Sequence, residues 1–162
     1  MEIRELTTPE DLRSCAGLLR LAFAETARNF GLTEQNAPTN AAFATVQNLH
    51  RHLQGGMILY GMFLAGALTG CVAIKQSNSA PGVFYIERLA VSPADRNRGY
   101  GERLLAFALE RIRDQGGTEA SLGLIDDNVQ LKRWYASRGF VQRERRRVAH
   151  LPFKVCYMSA KI

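Results

Sequence analysis

The stretch from Val83 to Ile125 allows few arrangements. VFYIERLAV is a run of β-branched, aromatic and apolar residues that reads as a strand. SPADRNRGYG is a turn rich in glycine and arginine. In GERLLAFALERIRDQ, the residues Leu104, Leu105, Ala108, Leu109 and Ile112 recur at helical spacing. Gly116 and Gly117 stop that helix, and TEASLGLI reads as a second strand. A strand, a helix and a strand in this order make a crossover that lays the two strands parallel in one sheet.

The rest of the chain fits around this unit. MEIRELT reads as a short first strand. TPEDLRSCAGLLRLAFAETARNF opens a helix, with Thr8 placed to cap, Pro9 in the first turn, and Glu10 and Asp11 at the positive end of its dipole. Leu12, Cys15, Ala16, Leu19, Ala22 and Phe23 form its apolar stripe. AAFATVQNLHRHLQ is expected as one second helix. MILYGMFL and ALTGCVAIKQ read as antiparallel strands joined at Ala65-Gly66. NVQLKRWYASRG is a short helix, and FVQRERRRVAH and FKVCYMSAKI close the chain as a hairpin around Pro152. The predicted order is β-α-α-β-β-β-α-β-α-β-β, an α/β (mixed-sheet α+β) fold in a single domain over residues 1–162.

Composition supports a folded, soluble chain, with 46% apolar and 22% charged residues. No apolar run approaches the roughly 18 residues needed to span a bilayer. MEIRELTTPEDL lacks the apolar core of a secretory signal. Cys15, Cys71 and Cys156 are far apart, odd in number and lack ligand spacing, so neither disulfides nor a metal site is expected. A cytoplasmic location follows from these readings. The formal charge of +6 favours anionic partners in general.

RNRGYG narrows the anion. A helix's first turn carries unpartnered N–H groups and partial positive charge. Gly99 and Gly101 would let phosphate oxygens approach the backbone, with Arg96 and Arg98 adding charge at the rim. The dinucleotide fingerprint and the P-loop are both absent, so a different phosphate-bearing ligand is indicated. A strand-to-helix turn with two convenient glycines is the plain structural alternative.

The segment resembles the acetyl-CoA signature of the GNAT family of N-acetyltransferases. That signature is an arginine or glutamine, two residues, a glycine, one residue, and a glycine or alanine. Arg96, Gly99 and Gly101 fill its defined positions. NVQLKRWYASRGF is similar to the family's second conserved stretch, and the element order matches along nearly the whole chain. The resemblance implies that Leu89, Ala90 and Val91 lie on the strand that pairs with the pantetheine arm. It further implies that the amides of Arg96, Asn97, Arg98, Gly99, Tyr100 and Gly101 hold the pyrophosphate. The strands on either side of the crossover would splay to admit the thioester. Asn128 would sit near the pantetheine, or it caps the following helix; Asp127 is another candidate cap.

Glu87 is the candidate general base. It stands in an apolar strand where some family members carry a catalytic glutamate, and pairing with Arg88 is its alternative role. Simple alternation would place Tyr85, Glu87, Leu89 and Val91 on one face. Tyr135 matches the family's common general acid, a phenol near the cofactor sulfur, and aromatic packing beside Trp134 is the alternative. By resemblance, the Val91 N–H is a candidate oxyanion donor. Asn29, Asn36 and Thr39 are candidates for the acceptor wall, and His50 and His52 read as surface residues. Five arginines in residues 138–147 could attract an acidic substrate, nucleic acid or the cofactor's 3'-phosphate. A charged edge strand is the plainer reading, with Arg143, Arg145 and Arg147 on one face.

The expected function is transfer of the acetyl group of acetyl-CoA, as cosubstrate and without a metal, to a primary amine of a small molecule or peptide in a ternary complex. A non-catalytic acyl-CoA sensor is the alternative. A nucleic-acid module is disfavoured because the arginine hairpin lacks interleaved aromatics. No membrane partner is expected, and the resemblance allows a homodimer.

Overall fold

A computed structural model describes residues 1–162. Strand β1 (Glu2–Glu5) leads into helix α1 (Pro9–Asn29). The cap is reciprocal: Thr8 Oγ1 accepts from the Asp11 N–H at 3.1 Å, while Asp11 Oδ2 accepts from the Thr8 N–H at 3.2 Å. Asp11 also holds Arg4 at 2.9 Å, and this partner pulls its carboxyl well below the usual carboxylate range. Leu12, Cys15, Ala16, Leu19 and Ala22 are buried, as their spacing predicts, and Phe23 is half-buried.

The second helix departs from expectation. A short 3-10 turn at Ala41–Phe43 precedes helix α2 (Val46–Gln54), and the two are separated at Thr45. Thr45 Oγ1 accepts from the Asn48 N–H at 3.1 Å, and Asn48 Oδ1 accepts from the Thr45 N–H at 3.0 Å. This box fixes Thr45 in extended backbone, so a helix cannot run through it.

Strands β2 (Ile58–Leu64), β3 (Ala67–Gln76) and β4 (Val83–Val91) follow as an antiparallel meander. Ala65 and Gly66 both have positive φ, the backbone that matches the twist of a two-residue hairpin. Helix α3 (Tyr100–Asp114) crosses over to β5 (Glu119–Ile125). Helix α4 (Val129–Ala136), β6 (Val141–Arg147) and β7 (Lys154–Lys161) complete the chain. The seven strands form one sheet in the order β1-β2-β3-β4-β5-β7-β6, in which only β4 and β5 run parallel. This is the mixed α/β architecture that the element order implied.

Each face of the sheet buries its own core. Phe84, Ile86, Leu104, Ile112, Tyr135 and Phe140 pack together on the α3 and α4 side. Leu12, Leu19, Leu49, Leu59, Cys71 and Ala90 pack together on the α1 and α2 side. A smaller cluster of Ala27, Leu32, Ala37, Ala42 and Ile125 ties the segment after α1 to the end of β5. The three cysteines are free and buried. No helix is long and apolar enough to cross a membrane.

Candidate active site

The parallel pair at the centre of the sheet does not stay paired. β4 and β5 are in register only from Val83 opposite Glu119 to Tyr85 opposite Ser121. Beyond that point β4 follows β3 as far as Val91, while β5 follows β7 as far as Ile125. The strands therefore part like a wedge, as the family resemblance implied. A cleft of about 1930 Å3 opens between them, walled by the end of α1, the loop before α3, α4 and the β6–β7 connection.

Arg88 breaks the alternation of β4. Its φ is +53°, and the β3–β4 register slips between Cys71–Ala90 and Ala73–Glu87, so β4 carries one extra residue there. Phe84 and Ile86 face the α3 side before the bulge, whereas Leu89 and Val91 pack on that side after it. Ala90 then faces α1. Glu87 and Leu89 are thus on opposite faces, which corrects the expectation of one common face. The Ser92 N–H donates to Thr69 O at 2.7 Å. Antiparallel alternation from that bond turns the main-chain groups of Leu89 and Val91 away from β3, toward the gap.

The loop continues this open edge. After a 3-10 turn at Pro93–Asp95, Asn97 and Gly99 adopt positive φ, 63° and 80°, and Gly99 stands at the N-terminus of α3. The first α3 amide to find a backbone acceptor is that of Arg103, which donates to Gly99 O at 3.2 Å. No backbone or capping partner inside the chain takes the N–H groups from Arg96 to Glu102. Open space lies where a Cβ on Gly99 would point, while one on Gly101 would only touch the Trp134 ring at 3.4 Å. Arg96 does not add mobile charge to the rim. Its Nη2 donates to Ala22 O at 2.6 Å, which ties the loop to α1. Arg98 lies 3.7 Å from Asp95, and Tyr100 is half-buried against the core.

Asn128 caps α4, with Oδ1 accepting from the Leu131 N–H at 3.2 Å, and it also lines the cleft. An amide offers both an acceptor and donors, so capping leaves its Nδ2 available. Tyr135 lines the cleft from α4 and packs edge-on between Trp134 and Phe140. Burial pushes its phenol up. Glu87 lines the cleft, 39% exposed, and accepts from Arg88 Nη1 at 3.1 Å.

Arg88 pairs with Glu87, the alternative role open to that carboxylate, and two further residues, His52 and Asp126, take up contacts that the sequence does not point to. Arg88 sits nearly buried behind Glu87. His52 is half-buried rather than a surface residue, with Nε2 3.0 Å from Arg88 Nη2, while His50 is exposed. The signal was present in Glu87-Arg88: two adjacent charges in an otherwise apolar strand cannot alternate cleanly between buried faces. Asp126, just past β5, holds Arg145 through two nitrogens at 2.7 and 2.9 Å and also pairs with Lys132. These cations bring its carboxyl down to about 2. A bulge at Arg143 gives that residue to Ser159 Oγ at 2.8 Å, so Arg143 and Arg145 part company instead of sharing a face. Of the candidates for an acceptor wall, Asn29 and Thr39 line the cleft. Asn36 instead closes its own turn with Thr33 and Gly31.

The sequence matches the acetyltransferase (GNAT) family over residues 23–140. It is 26% identical over 144 residues, 82% of this chain and 80% of the relative, to an uncharacterized N-acetyltransferase of the pepI 3' region in Lactobacillus delbrueckii subsp. lactis. The PaiA N-acetyltransferase from Thermoplasma acidophilum in complex with coenzyme A shares the fold at TM-score 0.75, with 18% identity and full coverage of both chains (100% and 100%). The ribosomal-protein-alanine N-acetyltransferase from Brucella melitensis does so at TM-score 0.73, with 16% identity and 100% of each chain covered. The family match runs from the second half of α1 to the turn after α4 and so spans both the parted strands and the glycine loop: the chain belongs to the GNAT family of acetyltransferases.

Proposed function

We propose that this protein transfers the acetyl group of acetyl-CoA directly to a primary amine of a small molecule or peptide, both substrates being bound at once. The free main-chain edge of β4 past Tyr85, continuous with the unpartnered amides from Arg96 to Glu102, carries the reading. An arm bearing amides can add to such an edge as a strand does, and a diphosphate suits a row of N–H groups at a helix start. Leu89 and Val91 take the arm through their main chain, while Ala90 between them stays paired with Cys71 of β3, and residues 96–101 with Asn128 take the remaining polar groups.

Acetyl-CoA supplies the acyl group already activated as a thioester. An amine that is protonated up to about pH 10 must lose its proton before it can attack, and Glu87, directly or through water, accepts it. The Val91 N–H faces the gap, where negative charge develops on the acyl oxygen. Tyr135 stays protonated across the neutral range because burial raises its phenol, so it donates a hydrogen bond to the departing sulfur. A cytoplasmic setting suits three unpaired thiols.

The test is release of free thiol from acetyl-CoA with a panel of primary amines: benzylamine, spermidine and an alanine-terminated tripeptide. Acetylated amine, identified by mass, is the expected product. Coenzyme A binding without turnover on any amine would favour a sensor, and no binding at all would remove both readings.

A further inference from the structure

Arg88 turns β4 over, and the surroundings hold it there. A side-chain-bearing residue avoids positive φ, and strain of this kind persists only where neighbours over-determine it. The Arg88 carbonyl accepts from Cys71 Sγ at 3.3 Å. Its Nη1 donates to Glu87 Oε2 at 3.1 Å and lies 3.8 Å from Met57 Sδ, while Nη2 lies 3.0 Å from His52 Nε2. Nε is buried without a partner, and the side chain is 12% exposed. The guanidinium is therefore fixed at both ends, by a carboxylate in the cleft and by an imidazole behind it.

The imidazole contact has a definite polarity. A guanidinium has donors only, so His52 Nε2 accepts, and its ring is neutral with the proton on Nδ1. Burial and the Arg88 charge both lower the His52 pKa, Lys75 and Arg51 act in the same direction, and Glu87 opposes them.

We propose that Arg88 and His52 form a positioning pair for Glu87: the neutral imidazole anchors one arm of the guanidinium, the other arm aims the carboxylate, and protonating His52 releases both. The proposal rests on Glu87 accepting the amine's proton in the transfer described above. Protonated His52 would set a second cation against Arg88 and break the anchor, so activity falls on the acid side in step with His52.

Four measurements test this. The acid limb of kcat for the fastest amine in the panel should coincide with the titration of His52 followed by NMR. His52→Gln keeps an acceptor oxygen but no longer titrates, so its limb should shift to lower pH with kcat at pH 8 retained. His52→Leu removes the acceptor, so kcat should fall about 10- to 100-fold above the His52 titration and converge with wild type below it, while the KM for acetyl-CoA stays unchanged. Arg88→Met should move the His52 titration upward, and Glu87→Gln should move it downward. An acid limb identical in wild type and His52→Gln overturns the proposal. A His52 resonance that ignores both Arg88→Met and Glu87→Gln overturns it too, and that arm needs no turnover. Absence of thiol release with every amine counts against the transferase reading instead.

Discussion

Replacing Gly99 separates the backbone's requirement from the ligand's. Its φ of 80° is a left-handed conformation, and nothing lies within 4 Å of where a Cβ would stand. Gly99→Ala therefore meets no clash, and its cost is conformational, about 1–2 kcal/mol. For a chain of this size that lowers Tm by roughly 2–8 °C, at 2–4 °C per kcal/mol. The same Cβ occupies the open space in front of the unpartnered amides. If a diphosphate must approach there, one charge-assisted hydrogen bond is lost, about 1.5–3 kcal/mol, or roughly 10- to 100-fold in Kd. Gly99→Asn resolves the two effects, because asparagine tolerates left-handed backbone yet still fills the space. Thermal melts should show Gly99→Asn recovering most of the lost Tm. Calorimetry with coenzyme A should show both variants binding with similarly weakened affinity. Wild-type affinity in both variants would refute the assignment of this loop to the diphosphate.

Tyr135→Phe should lower kcat about 100-fold with little change in coenzyme A affinity, measured by steady-state kinetics and calorimetry. The Asp126 carboxyl is held at about 2, below its ordinary 3.8, so its pairing with Arg145 and Lys132 stabilises the fold above pH 4 and is lost as pH falls toward 2. Asp126→Asn should lower Tm at pH 7, flatten the loss of Tm between pH 4 and 2, and speed hydrogen exchange in β6. Thr8→Ala removes half of the α1 capping box and should reduce unfolding free energy by about 1 kcal/mol in urea titrations.

The features legible in the sequence are those whose cause lies within a few residues. The stripe from Leu12 to Ala22 repeats because i, i+3 and i+4 positions share a helix face, and Thr8 announces its cap by position. The glycine turn that opens α3 is legible for the same local reason. The break before α2 was equally local, since Thr45 and Asn48 make a box of their own, but the asparagine partner is less familiar than the usual glutamate.

Other features depended on residues far along the chain. The bulge at Arg88 is held by His52, 36 positions away, and by Met57, 31 away, so strand alternation alone put Glu87 on the wrong side of Leu89. Arg96 points away from its own loop because Ala22 O, 74 residues earlier, accepts from it. The wedge between β4 and β5 exists because β3 and β7 keep hold of their partners after the central pair lets go. Sequence by itself determined the elements, their order and the loop at the start of α3, since periodicity and caps act through neighbours along the chain. Tertiary structure alone decided where Glu87, Arg88 and Arg96 point, because a charged side chain turns toward whichever partner folding brings within hydrogen-bond reach.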